Sequence, residues 1–147
     1  MKQIQIECDP SYNCPDIKYC KTIVTTVLTQ DEVKNANINV IFGSEKLISD
    51  LKKQYFQVDQ WTDVIAFRLN AYDQSEVEGE IYISLPTARI SAKEYNEPYE
   101  REVARLIIHG TLHLLGYKDE LESDKQEMTA MEEYYLGEAN WKELFGT

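Results

Sequence analysis

No apolar run in the sequence approaches the ~20 residues that a membrane-spanning helix needs. The first residues, MKQIQIECD, are too polar and too short for the apolar region of an export signal. Cysteine is scarce and odd in number: Cys8, Cys14 and Cys20. Three are too few for a disulfide framework, and their spacing matches no tight zinc-ligand pair. They are expected as free structural thiols in a reducing cytosol. The six Gly and four Pro of the 147 residues form no linker and no low-complexity tract, and no internal repeat appears. Residues 1–147 are therefore expected to fold as one domain. Basic residues are outnumbered, 15 Lys and Arg against 26 Asp and Glu, for a net charge of −11. From Lys118 to Thr147, nine acids face three bases, a net −6 that repels phosphate. General attraction to nucleic acid is excluded. Contact with nucleic acid would need a local basic patch and a metal.

Periodicity supplies the elements. Residues 2–7, KQIQIE, and 37–42, NINVIF, alternate as half-buried strands do. Residues 63–69, DVIAFRL, and 79–85, GEIYISL, read as two further strands. Asp9, Pro10, Ser11 and Asn13 form a turn, and Asn70 to Glu78 a polar loop. Helical spacing places Ile17, Cys20, Ile23, Val24, Val27 and Leu28 on one face of a helix over 16–28. Ser44 is positioned to cap a helix to about Tyr55, and Pro86 suits the first turn of another. The longest helix is predicted from Tyr99 to Leu115, stopped by Gly116, and a last one from Leu121 to Leu136. The order predicts an α+β fold: one four-stranded mixed sheet packed with about five helices, one sheet face less covered than the other.

Only two histidines exist, and they stand four residues apart in His109-Gly-Thr-Leu-His113. On a helix that spacing stacks both imidazoles on one face, within reach of one ion. The flanking Leu106, Ile107, Ile108, Leu112, Leu114 and Leu115 predict a mostly buried helix, where unpartnered imidazoles are costly. A left-handed Gly116 would turn the chain back and bring Asp119 toward the histidines. Two imidazoles and a carboxylate with an open position match a catalytic zinc shell, one ion per chain. The competing reading is two ordinary helix histidines and a surface aspartate.

The stretch His109 to Asp119, HGTLHLLGYKD, resembles the HGxLHLxGYDH signature of the YbeY family of bacterial rRNA-maturation endoribonucleases. Thr62 to Phe67, TDVIAF, is similar to the family's TDVLSF, and Gly79 to Ser84, GEIYIS, to its GDIxIS. Glu127 to Glu133, with Met128 and Met131, resembles its acidic, methionine-bearing last helix. The resemblance spans roughly residues 38–135. It implies a zinc-dependent endoribonuclease acting on single-stranded RNA, with ribosomal RNA and the small ribosomal subunit as partners in the cytoplasm. Two departures stand out. Lys118-Asp119 replaces the family's Asp-His, so Asp119 falls on the third histidine ligand, a harder donor more tolerant of other metals. Tyr55-Phe56 replaces a Tyr-Arg pair, leaving Lys52, Lys53 or Arg68 to meet phosphate.

In such a site the metal activates a nucleophile and polarises a phosphoryl oxygen, while a nearby cation stabilises the developing charge. Arg68, Lys53 and Arg105 are the candidate substrate-binding residues, with Arg89 and Arg101 also available. Arg101 and Arg105 have a plainer alternative: pairing with Glu97, Glu102 or the acidic last helix. Asp63 and Glu80 are candidates to orient the histidines, or simply strand residues. A zinc metallopeptidase is a competing class, but Gly110 stands where those enzymes carry a glutamate base. A non-catalytic ribosome-assembly factor is another, as is metal hydrolysis of a small phosphoester.

Overall fold

A computed structural model describes residues 1–56 and 63–146. The chain runs β1 (Lys2–Cys8), α1 (Ile17–Gln30), β2 (Ala36–Gly43), α2 (Glu45–Phe56), β3 (Val64–Arg68), β4 (Val77–Ser84), α3 (Leu85–Glu94), α4 (Tyr99–Leu114) and α5 (Glu122–Glu138). A short 3-10 turn, Trp141–Glu143, follows. The expected α+β architecture is present: one four-stranded sheet, ordered β1-β2-β4-β3, with five α-helices among the described residues. β1, β2 and β4 are parallel, with Ile4 opposite Ile38 and Val40 opposite Ile81. β3 runs antiparallel to β4 at the edge, with Ile65 opposite Tyr82. Parallel neighbours need a crossover, and α1 supplies the one between β1 and β2.

Alternation sets the two faces of the sheet. Ala36, Ile38, Val40 and Phe42 of β2 and Val77, Gly79, Ile81 and Ile83 of β4 are buried. They join α1 and α4 in one apolar core. Asn37, Asn39, Glu78 and Glu80 point to the opposite, less covered face. Two glycines let α4 settle directly on the sheet. A Cβ at Gly110 would lie 2.6 Å from Ile81 Cγ2, and one at Gly79 would lie 2.6 Å from Leu114 Cδ2. The register of α4 on β4, and so the placement of its histidines, depends on both absent side chains.

Helix ends follow the local chemistry the sequence announces. Ser44 Oγ accepts from Leu47 N at 3.2 Å, and Ser84 Oγ accepts from Thr87 N at 3.2 Å with Pro86 in the first turn. Three differences from the sequence reading stand out. β4 starts at Val77, inside the expected loop. The longest described helix is α5, 17 residues against 16 for α4. The 3-10 turn beyond it, whose flanking Leu144 is fully buried, carries too little pattern to be read from sequence.

The cysteines are a correction. Cys8 and Cys14 form a disulfide, with Cα atoms 6.1 Å apart. Asp9 folds the intervening turn by accepting from Ser11 N at 2.9 Å and Ser11 Oγ at 2.7 Å, which brings the two Cα atoms into disulfide range. Counting cysteines could not show that closure, and the bond removes the thiol argument for a reducing compartment. Cys20 is free, and burial pushes its thiol up to about 12. Among the described residues no helix is long and apolar enough to cross a membrane.

Candidate metal centre

His109 and His113 sit one turn apart on the carboxyl-terminal half of α4. The helix ends in a Schellman motif: Tyr117 N donates to Leu112 O at 3.1 Å and Gly116 N to His113 O at 3.0 Å. Gly116 has φ +99°, the left-handed conformation the sequence reading requires. The turn swings Asp119 back over the histidines. Arg68 fixes the same end of the helix by donating from Nη1 to Leu114 O at 2.7 Å.

Three ligand atoms converge. His113 Nε2 lies 3.0 Å from His109 Nε2 and 3.3 Å from Asp119 Oδ2, and His109 Nε2 lies 3.5 Å from Asp119 Oδ2. Tetrahedral coordination at the usual zinc–nitrogen and zinc–oxygen lengths sets ligand–ligand edges of about 3.3 Å. The observed triangle fits such an ion, and its donors suit zinc and other borderline divalent cations. Among the described residues no fourth histidine, cysteine or carboxylate joins the cluster. Burial first, and then the neighbouring His109, hold the His113 imidazole below its ordinary range, in the neutral form a metal requires.

Behind the ligands lies a buried charge network, whose link to His109 the sequence reading missed. Glu132, from α5, accepts from His109 Nδ1 at 2.6 Å. That bond leaves the Nε2 lone pair of His109 directed at the ligand triangle. Arg105 in turn donates to Glu132 at 3.2 Å and to both oxygens of Glu102 at 2.8 and 2.9 Å. The Glu132 and Glu102 side chains are only 6% and 5% exposed, so a shared guanidinium is what makes their burial tolerable. Glu132 had one visible signal: it occupies the buried face of α5 with Met128, Tyr135 and Leu136, where an acid is out of place.

The other predicted residues are distributed unevenly. Asp63 lines the metal cleft without a hydrogen bond to either histidine, and burial raises its carboxyl above the ordinary range. Glu80 lies on the sheet face away from α4, where it accepts from Tyr82 Oη at 3.3 Å. Arg105 is held between Glu102 and Glu132, and Arg101 between Glu97 and Glu133, the plainer of the two readings. Arg68 donates to Asn70, Leu114, Ala71 and Glu76, so its guanidinium is structural. Lys53 is exposed on α2 and does not line the cleft, but Lys52 does. The cleft measures about 630 Å³, and Lys52 is the one Lys or Arg among its described lining residues, beside Asp63, Asp119 and Glu120. Thr62 and the side chain of Phe56 lie outside the described residues.

An α+β fold with a two-histidine, one-carboxylate triangle at the end of a buried helix defines a protein with a candidate three-ligand metal site. The chain belongs to the YbeY family: a match to the family described as Endoribonuclease YbeY covers residues 7–140. It is 36% identical over 128 residues to Endoribonuclease YbeY of Amoebophilus asiaticus, covering 87% of this chain and 86% of that one. It is 38% identical over 128 residues to the Desulforamulus reducens protein of the same name, covering 82% and 84%. Among solved structures, TM1509 of Thermotoga maritima superposes with a TM-score of 0.62 at 29% identity, over 92% of this chain and 88% of that one.

Proposed function

We propose that residues 1–147 form one hydrolase domain of YbeY type, a metal-dependent endoribonuclease that cuts single-stranded RNA with one zinc ion held by His109, His113 and Asp119. The observation that carries this is the ligand triangle, with edges of 3.0, 3.3 and 3.5 Å, open to a cleft of about 630 Å³. Bound there, the ion supplies Lewis acidity toward a phosphoryl oxygen and lowers the pKa of water. The protein's own groups prepare that chemistry. Glu132 fixes the His109 tautomer, and Arg105 pairs with Glu132 from its other side. Lys52 faces the same space and is the cation available to pair with a phosphate oxygen. It takes the part for which sequence reading offered Lys52, Lys53 and Arg68 together. Asp119 would place one more negative charge beside the ion than a third histidine, and so would leave that ion a weaker acidifier.

Membership of a family named for endoribonuclease activity supports an RNA substrate. Ribosomal RNA and the small ribosomal subunit, in the cytoplasm, are the partners its resemblance implies. A peptidase is disfavoured by Gly110, which offers no base and has no space for one against Ile81. A structural metal is disfavoured by three ligands where closed sites use four.

Elemental analysis beside cleavage of single-stranded RNA tests the reading. Wild type should carry one zinc per chain and cleave. His113→Ala should lose the ion and about 1,000-fold of the rate. Equal cleavage by both proteins would remove the catalytic assignment.

A further inference from the structure

A second cavity, of about 410 Å³, lies away from the metal, between the turn after β1, helix α3 and the start of α4. Its lining includes the rings of Tyr12 and Tyr99, apolar Pro86 and Ile90, and the cations Arg89 and Lys93. No aspartate or glutamate lines it, in a chain with 26 of them. Arg89 and Lys93 are four residues apart on one face of α3, and among the described residues neither pairs with a carboxylate. The Arg89 guanidinium lies 4.0 Å above the Tyr99 ring. Stacking fixes its plane, one N–H reaches the Tyr99 hydroxyl, and its remaining N–H groups meet no carboxylate among the described residues, the geometry that takes up phosphate oxygens. Aromatic faces, a stacked guanidinium and an exposed cation together match one unit of a single-stranded nucleic acid: a base on the rings, a phosphate on the charges.

We propose that this cavity is a distal RNA subsite, with a phosphate shared by Arg89 and Lys93 and an unpaired base packed on Tyr12 and Pro86. The inference rests on the nuclease reading above and adds a separate contact to it. Helix α4 rises 1.5 Å per residue, so Tyr99 stands about 15 Å along its axis from His109. Only a strand extending beyond the bond being cut reaches both places. The subsite would therefore select for substrate length, and it supplies local positive charge that the whole chain lacks.

The test is steady-state cleavage of a short and a long single-stranded RNA by the zinc-loaded protein. Alongside it, fluorescence anisotropy follows binding of a labelled 2′-O-methyl oligonucleotide across a salt series. Arg89→Gln/Lys93→Gln should raise KM and Kd for the long strand about 10-fold, with kcat and cleavage of the short strand unchanged. The salt slope should fall by about 0.7, the value for one phosphate released from a single strand. Lys18→Gln/Lys21→Gln, two exposed cations of α1, should leave both quantities near wild type. An equal loss from that pair would reduce the effect to general charge and overturn the subsite. So would wild-type Kd and slope in the Arg89/Lys93 variant while wild type cleaves RNA. Failure of wild type to cleave RNA at all would overturn the nuclease reading, and the subsite with it. The four substituted side chains are exposed, so misfolding does not cloud the comparison.

Discussion

Along α4 and its neighbours, Arg101 meets Glu97 and Glu133, and Arg105 meets Glu102 and Glu132. Beside the first residue of the same helix, Arg89 lies over Tyr99 and Lys93 stands in solvent, with no carboxylate in their cavity. All are helix cations, yet among the described residues only the second pair has no carboxylate partner. Arg105 turns its charge inward, holding Glu132 against His109 and so orienting the candidate metal ligands. In the second pair it faces outward. A count of basic residues near a site thus says little, and the inventory of their partners decides their role. The metal cleft has Lys52 as its one described lining cation for the same reason.

The paired region can be broken from the inside. Glu132→Gln keeps the shape but removes the charge that holds His109 Nδ1–H, and metal affinity should fall about 10- to 100-fold in competition with a chelator. An unchanged affinity would mean the histidine is oriented by packing alone. Gly110→Ala disturbs the platform beneath the same region, because its Cβ meets Ile81 at 2.6 Å. Overpacking of this kind costs about 1–3 kcal/mol, readable as a lowered urea midpoint. A wild-type midpoint would show that α4 can lift from β4 freely. Lys52→Ala removes the one Lys or Arg among the described lining residues of the cleft. It should lower kcat/KM for RNA about 10-fold with metal content unchanged, a modest loss because the group is half solvated. Loss of the metal in that variant would assign Lys52 a structural part instead. The smallest effect is expected from Arg101→Ala, whose Glu133 partner is 59% exposed. Its stability change should stay within about 1 kcal/mol, since exposed pairs contribute little. A larger loss would place Arg101 within the buried network.

What could be read from the sequence was local. His109 and His113 share a helix face because of their spacing, and Gly116 turns the chain because only glycine enters the left-handed region cheaply there. Asp119 follows from that turn. The strands came from alternation and the α+β class from their order. What could not be read depends on distant contacts. Glu132 reaches His109 from 23 residues away on another helix. Lys52 and Lys53 are equivalent until the rotation of α2 on the sheet is known. Arg68 looked available for phosphate because nothing in its neighbourhood reveals that Leu114, Ala71 and Glu76 present their carbonyls to it. The disulfide escaped for a related reason: a six-residue separation closes only if the turn from Asp9 folds tightly, and that depends on the Ser11 bonds.

Anomalous diffraction at the zinc edge, on crystals of the zinc-loaded protein, tests most directly whether one ion sits among the three side chains. A single peak about 2.0–2.2 Å from His109 Nε2, His113 Nε2 and a carboxylate oxygen of Asp119 is the result expected. A metal bound elsewhere, or bound by the histidines with Asp119 turned away, would contradict it.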